Sequence, residues 1–138
     1  MNDGLVILLV EDDDVAAEAV ERSLRKSGID TPVVHAANGA VALEILRSTT
    51  PPRRGPMITL LDLNMPRMNG FEFLREVRSD PALSSLVVFV LTTSDAEMDR
   101  TRAYAEHVAG YMVKSAIGPQ FSRLASLLGE YAKSVVLP

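Results

Sequence analysis

Charged and hydroxyl side chains follow four of the short apolar runs of this chain, at the point where each run ends. Glu11 and Asp12 follow the first run, Asp62 the third, Thr92 the fourth and Lys114 the fifth. Carboxylates packed together repel one another, and a hard divalent cation such as Mg²⁺ relieves that repulsion by binding their oxygens. This collection suits transfer of a phosphoryl group to Asp62, because carboxylate nucleophiles form aspartyl phosphates and the nearby cations would offset the developing charge.

Each of these residues also has a simpler structural interpretation. Asp12, Asp13 and Asp14 would favour the N-terminus of a following helix, and for Asp13 and Asp14 we prefer that explanation. Asp62 would initiate a turn, the threonine would cap a helix, and the lysine would be an ordinary surface residue. The structural explanation would have to apply four separate times, once at each of four strand ends. We therefore favour a single functional site that uses all of these residues together.

The elements that position these residues follow from the hydrophobic pattern. Short apolar runs rich in branched residues are typical of strands covered on both faces. We predict strands at 5–10, 33–36, 57–61, 86–91 and 110–113. The segments between and after them carry apolar residues at helical spacing, which predicts five helices. Crossovers of this length predict a parallel sheet with helices on both faces, and sites in such sheets lie at the carboxyl ends of the strands.

Caps and apolar stripes locate the helices. Asn38 is a predicted N-cap for the second helix, and Asn69 precedes the start of the third. The weakest stripe belongs to the fourth helix and consists of Met98, Arg102 and Ala105. This stripe contains fewer apolar residues than those of the other four predicted helices.

Two proline-containing segments lie at the boundaries of the predicted elements. Residues 49–56 contain three prolines and two arginines, which predicts an exposed loop rather than a domain boundary. Gly118 and Pro119 predict the start of the fifth helix, because proline is favoured in the first turn.

Length, composition and charge restrict the classes of protein to which this chain can belong. A length of 138 residues suits one domain, and the absence of cysteine excludes disulfides and thiolate metal sites, which fits a cytoplasmic location. The formal net charge of −4 argues against direct DNA binding through bulk electrostatics. The first residues lack a positively charged start and a long apolar run, so we predict neither a signal peptide nor a membrane span.

Four segments of the chain resemble the receiver domains of response regulators in two-component signalling. They are "ILLVEDD", "LLDLNMPRMNG", "FVLTTS" and "GYMVK". The 30 residues from Asp62 to Thr92 and the 22 residues from Thr92 to Lys114 also match that family. The resemblance covers nearly the whole chain. It implies a flavodoxin-like, doubly wound α/β fold with five parallel strands in the order 2-1-3-4-5.

The resemblance assigns metal and phosphoacceptor roles residue by residue. Asp62 matches the phosphoacceptor. Asp12 matches the residue that binds Mg²⁺ directly, and Glu11 matches the one that binds it through water. Asn64 matches the position whose backbone carbonyl completes the metal site.

The resemblance also assigns the switch residues. Thr92 matches the hydroxyl residue that contacts the phosphoryl group, and Lys114 matches the lysine that pairs with the phosphoacceptor. Tyr111 falls on the aromatic position whose ring turns inward when Thr92 moves, although a half-buried tyrosine suits a last strand anyway. One position departs from the family: receivers usually have proline after the lysine, where this chain has Ser115.

A narrower likeness concerns the partners. The loop at 51–56, "LTTSD" at 91–95 and the final "KSVVLP" are similar to single-domain receivers that partner bacterial phytochrome histidine kinases. This likeness implies a histidine kinase as phosphodonor and output through protein contacts or phosphate relay. It also implies a homodimer formed through the fourth and fifth helix region and the C-terminal arm.

We predict that the chain has two parts with different roles in this homodimer. Residues 1–133 form the predicted receiver domain, and residues 134–138 form a C-terminal tail that acts as a dimerisation arm. We expect Tyr104, Val108 and the apolar tail residues to contact a second copy, the alternative being a frayed end.

Two other functions compete with a phosphorylated signalling module. A Mg²⁺-dependent phosphohydrolase with an aspartate nucleophile usually has a second aspartate two residues later, where this chain has Asn64, and a cap insertion that this chain lacks. A degenerate receiver that serves only as an interaction module would not need to retain the five site residues, which are Glu11, Asp12, Asp62, Thr92 and Lys114. We therefore predict a phosphoacceptor whose main task is not turnover of an external substrate.

Overall fold

Strands and helices alternate along the chain in the computed structural model of the protein, which describes residues 4–48, 55–65, 68–116 and 121–138. The strands are β1 (Val6–Val10), β2 (Val33–Ala36), β3 (Met57–Leu61), β4 (Val87–Thr92) and β5 (Gly110–Val113). The helices are α1 (Asp14–Lys26), α2 (Gly39–Ser48), α3 (Gly70–Ser79), α4 (Glu97–Ala105) and α5 (Ser122–Ser134). Each predicted strand is confirmed to within one residue at both ends. Gly118, Pro119 and most of the predicted loop at 49–56 lie outside the described residues.

The five strands form one parallel sheet in the order β2-β1-β3-β4-β5, which confirms the predicted topology. Val10 at the end of β1 lies opposite Ala36 of β2 and Leu61 of β3, and Leu61 lies opposite Val90 of β4. Because the strands are parallel and end at nearly the same level, the residues that follow them meet at one edge of the sheet.

The core has one layer on each face of the sheet. Leu8 and Val10 of β1 point into the layer formed with α2, α3 and Ala103 of α4. Ile7 and Leu9 point into the opposite layer, formed with α1 and α5. This alternation explains the apolar character of the three central strands β1, β3 and β4, whose residues are covered on one face or the other.

Side-chain caps start three of the helices beside the carboxyl edge. The Asp13 carboxylate accepts hydrogen bonds from backbone amides in the first turn of α1. Asn38 Oδ1 accepts from the Val41 amide at 3.0 Å, and Asn69 forms a reciprocal capping box with Glu72. The predicted cap at Asn38 is confirmed, and the expected helix starts after Asp13 and Asn69 are confirmed, with both residues acting as N-caps.

The predicted buried face of α4 is wrong. Ala103 is the buried residue of this helix, whereas Met98 is 84% exposed and Ala105 is also exposed. The Arg102 guanidinium lies 4.1 Å from the centroid of the Phe71 ring on α3, over the ring face. A short helix with so few apolar residues offers no clear periodic signal, so tertiary packing selects the face that contacts the sheet.

The C-terminal residues fold back onto their own chain. After α5 the chain is extended, and Leu137 is only 8% exposed because it packs into the core layer of α1 and α5. Val136 is 82% exposed. The predicted contact residue Val108 is buried in the other core layer, so it is not available to a partner and that expectation is corrected.

Candidate functional site

Three carboxylates meet at the carboxyl edge of the sheet. One oxygen each from Glu11, Asp12 and Asp62 can be chosen so that all three lie within 4.8 Å of one another. Glu11 and Asp62 are buried, whereas Asp12 is exposed. The cluster is therefore open to solvent on the side of Asp12, which is the side from which a ligand can approach.

Lys114 joins this cluster from the end of β5, where it begins a 3₁₀ turn spanning Lys114–Ala116. Its Nζ donates to Glu11 Oε1 at 2.6 Å and lies 4.0 Å from Asp62 Oδ2. The family resemblance implied a pair with Asp62. In the structure Glu11 is the closer partner, and Asp62 lies at the outer limit of an ion pair.

The electrostatics of the cluster fit a bound divalent cation. Burial raises the pKa of Glu11 to about 7, the hydrogen bond from Lys114 opposes that shift, and the Asp62 charge adds to it. One ammonium therefore does not compensate the buried carboxylates. Three carboxylate oxygens beside an open side match the oxygen-rich, partly hydrated coordination that Mg²⁺ prefers.

The raised pKa of Glu11 predicts a pH-dependent stability for the metal-free protein. Between the ordinary value of 4.5 and about 7 the folded state binds more protons than the unfolded state, so this contribution is lost as pH rises through about 7. We expect the melting temperature of the wild type to fall relative to Glu11→Gln between about pH 5 and about pH 8. Thermal unfolding in a chelator measures the difference, and parallel pH profiles of the two proteins would contradict it.

Asp62 is held through both its backbone and its side chain. Its backbone N–H donates to the carbonyl of Val10 at 3.0 Å, which ties the end of β3 to β1. The Asn64 N–H donates to Asp62 Oδ1 at 3.2 Å. The carboxylate is thus oriented by the turn that follows it, while Oδ2 faces Lys114.

Ser94 links the two predicted switch residues. Thr92 is fully buried, and its Oγ1 accepts from the Ser94 N–H at 3.4 Å. The Tyr111 hydroxyl donates to the Ser94 carbonyl at 2.9 Å, and burial raises the pKa of that hydroxyl. The Ser94 hydroxyl donates to Asp99 on α4 at 2.6 Å. Sequence reasoning gave Ser94 no role, although it lies two residues after Thr92 in a matching segment.

A second contact at this edge, between a histidine ring and a backbone carbonyl, was also not predicted from the sequence. His35 Nε2 lies 2.6 Å from the backbone carbonyl oxygen of Glu11. Nothing in the sequence marks His35, since it lies within a predicted strand and its partner is a backbone atom.

Other parts of the molecule do not contribute to this site. A cavity of about 730 Å³ lies at the opposite edge of the sheet, where the start of β1, the loop before β2 and α5 line it.

Within the described ranges, the chain forms no helix long and apolar enough to cross a membrane.

Fold and site together define a class of protein. The sequence profile of the response regulator receiver domain matches residues 7–124, which is most of the chain. The chain therefore belongs to the response regulator receiver domain family. It is a signalling protein of the two-component type, and its acidic cluster is of the kind at which receiver domains bind Mg²⁺.

Particular relatives narrow this class. The chain is 34% identical to the response regulator Rcp1 of Synechocystis, in an alignment that covers 99% of this chain and 95% of Rcp1. The structure of the phosphorylated cyanobacterial phytochrome response regulator RcpA has a TM-score of 0.83 at 34% identity, covering 96% of this chain and 97% of RcpA. The Mn²⁺-bound form of Rcp1 has a TM-score of 0.81 at 33% identity, covering 96% and 98%. The chain is thus homologous to phytochrome response regulators over nearly its full length.

Proposed function

We propose that Asp62 of this receiver domain accepts a phosphoryl group from the phosphohistidine of a histidine kinase. An Asp62 carboxylate oxygen attacks phosphorus, a P–O bond forms, the P–N bond to imidazole breaks, and its electron pair returns to the ring nitrogen. The observation that carries this proposal is the approach of Glu11, Asp12 and Lys114 to the Asp62 carboxylate. A buried carboxylate beside a cation and an open acidic cluster is placed to receive a phosphoryl group.

The other site residues prepare Asp62 for this transfer. Glu11, Asp12, Asp62 and the backbone carbonyl of Asn64 would hold Mg²⁺, which when bound neutralises charge on the phosphoryl oxygens. Lys114 would bind a phosphoryl oxygen at the open side of Asp62 while it remains near Glu11. Lysine suits this role because its ammonium is a compact point charge.

The output of phosphorylation would run through Thr92 and Ser94. We infer that the Thr92 hydroxyl donates to a phosphoryl oxygen and gives up its contact with the Ser94 N–H. Because Ser94 also contacts Tyr111 and Asp99, a shift of this residue would reach β5 and α4 together. The surface formed by α4 and β5 would then present different contacts to a partner.

We propose a phytochrome-linked histidine kinase as the partner. The support is the full-length similarity to the phytochrome response regulator RcpA and to Rcp1. In this proposal the chain is phosphorylated and dephosphorylated itself and turns over no external metabolite as its main task. Copurification with the kinase, followed by phosphotransfer from the labelled kinase, tests the assignment; a kinase that labels an unrelated receiver as fast would contradict it.

Direct chemistry tests the phosphoacceptor role without any kinase. The protein is incubated with Mg²⁺ and a small phosphodonor, and intact mass is measured. We expect a gain of one phosphoryl group that is stable in acid and labile in base, as an acyl phosphate is. Absence of the adduct on the wild type would favour a module used only for interaction, and steady release of phosphate from many substrates would favour a phosphohydrolase.

We further propose a homodimer in which residues 134–138 act as an arm together with α4 and α5. Its support is the exposed apolar surface left by Tyr104 on α4, Leu127 on α5 and Val136 in the tail. Leu137 would anchor the arm to its own chain.

Charged substitutions test this dimer. Tyr104→Asp and Val136→Asp are each expected to weaken dimerisation by at least about tenfold, because they place a charge in an apolar contact. Val15→Asp is the matched control, since Val15 is an exposed apolar residue on α1, outside the proposed interface. Mass in solution across a concentration series is the measurement. A monomeric wild type, or an equal effect of the control, would contradict the proposed interface.

A further inference from the structure

We propose that His35 is a positioning residue for the cation site. Its ring is on the edge strand β2, while the two carboxylates that it positions, Glu11 and Asp12, directly follow β1. By donating to the Glu11 carbonyl, His35 orients the peptide that joins Glu11 to Asp12 and so preorganises both side chains for a divalent cation. This inference rests on the proposed function, because it concerns the same acidic site.

The contact has a definite direction. His35 Nε2 lies 2.6 Å from the Glu11 carbonyl oxygen. A carbonyl oxygen only accepts hydrogen bonds, so Nε2 carries the proton and donates it. The Glu11 N–H donates in turn to the Ala36 carbonyl at 3.0 Å. Both polar backbone atoms of Glu11 are therefore held by neighbouring residues of β2.

These two hydrogen bonds mean that β2 also fixes the backbone of Glu11, which follows the last residue of β1. The Glu11 carbonyl belongs to the peptide that also contains the Asp12 nitrogen, and a peptide unit is planar. Fixing the carbonyl thus fixes the plane from which Asp12 projects. On the other side of Asp12, the Asp13 carboxylate caps α1. Asp12 is held between two anchored neighbours although its own side chain is exposed.

Preorganisation of this kind acts on cation affinity. An exposed carboxylate on a loose segment must be ordered when it binds a cation, and that ordering weakens binding. Hydrogen-bonding partners behind metal ligands commonly change metal affinity by about 10–100-fold. A purely structural role for His35 would instead join β1 to β2 and leave the affinity of the folded protein unchanged.

The experiment compares three variants of the full chain with the wild type. His35→Ala removes the donor, His35→Gln places an amide N–H near the position of Nε2, and Val34→Ala truncates the exposed neighbour on the same strand. Binding of Mn²⁺ alone is measured from the electron paramagnetic resonance signal of the free ion, well below the unfolding temperature of each protein. We expect His35→Ala to weaken Mn²⁺ binding by about tenfold. His35→Gln and Val34→Ala should bind like the wild type.

Phosphorylation kinetics distinguish a role of His35 in positioning the cation site from a role in the chemical step. In His35→Ala the Mg²⁺ concentration that half-saturates phosphorylation by a small phosphodonor should rise, while the rate at saturating Mg²⁺ is unchanged. Wild-type affinity in His35→Ala, an equal loss in His35→Gln, or a loss explained by unfolded protein would overturn the inference. A wild type that binds no Mn²⁺ would instead overturn the cation site of the proposed function, and the inference with it.

Discussion

Replacing Asp62 with asparagine is expected to abolish the acid-stable, base-labile phosphoryl adduct completely. Asparagine has nearly the shape of aspartate, but its amide is a very poor nucleophile and cannot form an acyl phosphate. The fold should remain, because Asp62 is tied to Val10 through its backbone and Lys114 keeps its closer partner Glu11. Intact mass after incubation with Mg²⁺ and a small phosphodonor is the measurement.

The matched control for this variant is Asp14→Asn. It makes the same change of charge at an exposed carboxylate in the first turn of α1, close in sequence to the acidic site. We expect it to be phosphorylated like the wild type. An adduct that persists in Asp62→Asn would refute the site assignment, and loss of the adduct in both variants would point to a general effect of charge.

Gly70→Ala is expected to destabilise the protein by about 2 kcal/mol, as overpacking of a filled space does. A Cβ atom at Gly70 would lie 2.7 Å from the Leu63 Cα and 2.8 Å from the Asp62 carbonyl oxygen. Both are backbone atoms, so the clash cannot be relieved by rotating a side chain. The end of β3 and the start of α3 must separate instead. We therefore also expect phosphorylation to slow by at least about tenfold, because misplaced reacting groups lose rate steeply.

Substitution of a second glycine is the control, for which we expect a change in stability of the opposite sign. Gly129 lies inside α5, and a Cβ there would lie at an ordinary van der Waals distance of 3.7 Å from the Ile29 Cδ1 atom, the nearest atom outside the helix among the described residues. Gly129→Ala should stabilise the protein by about 0.5–1 kcal/mol, because glycine is a poor residue for a helix interior. Urea unfolding measures both variants. Similar stabilities for Gly70→Ala and the wild type would show that β3 and α3 adjust freely.

The positions of the strands and of their terminal polar residues were predictable from the sequence. The run "VILLV" is apolar at every position, and "MITLL" is apolar at every position except Thr59, because helices cover both faces of the sheet. This hydrophobic pattern can be seen in the sequence of each short segment. Once the strands are parallel, the residues that follow them share an edge. The proximity of Asp12 and Asp62 therefore followed from topology, and the resemblance to receiver domains agreed with it.

Contacts between distant segments were less predictable. The face that α4 buries depends on the space left by the sheet and α3, and the helix itself has too few apolar residues to indicate it. Leu137 was expected to contact a second copy, yet its own chain provides an apolar layer that covers it. A short apolar tail carries no local signal that distinguishes these two ways of burying the same side chain.

For this protein, the sequence by itself determined the order of the elements, the parallel sheet and the identity of the carboxylates, hydroxyl and ammonium at its edge. Periodicity and residue chemistry are properties of short segments, so they can be read without the fold. Only the tertiary structure decided that Lys114 lies closest to Glu11, that Ser94 joins Thr92 to Tyr111, and that His35 holds the Glu11 carbonyl. These are contacts of a few ångströms between groups on different strands and loops, two of them through backbone atoms, and such distances exist only after the chain has packed.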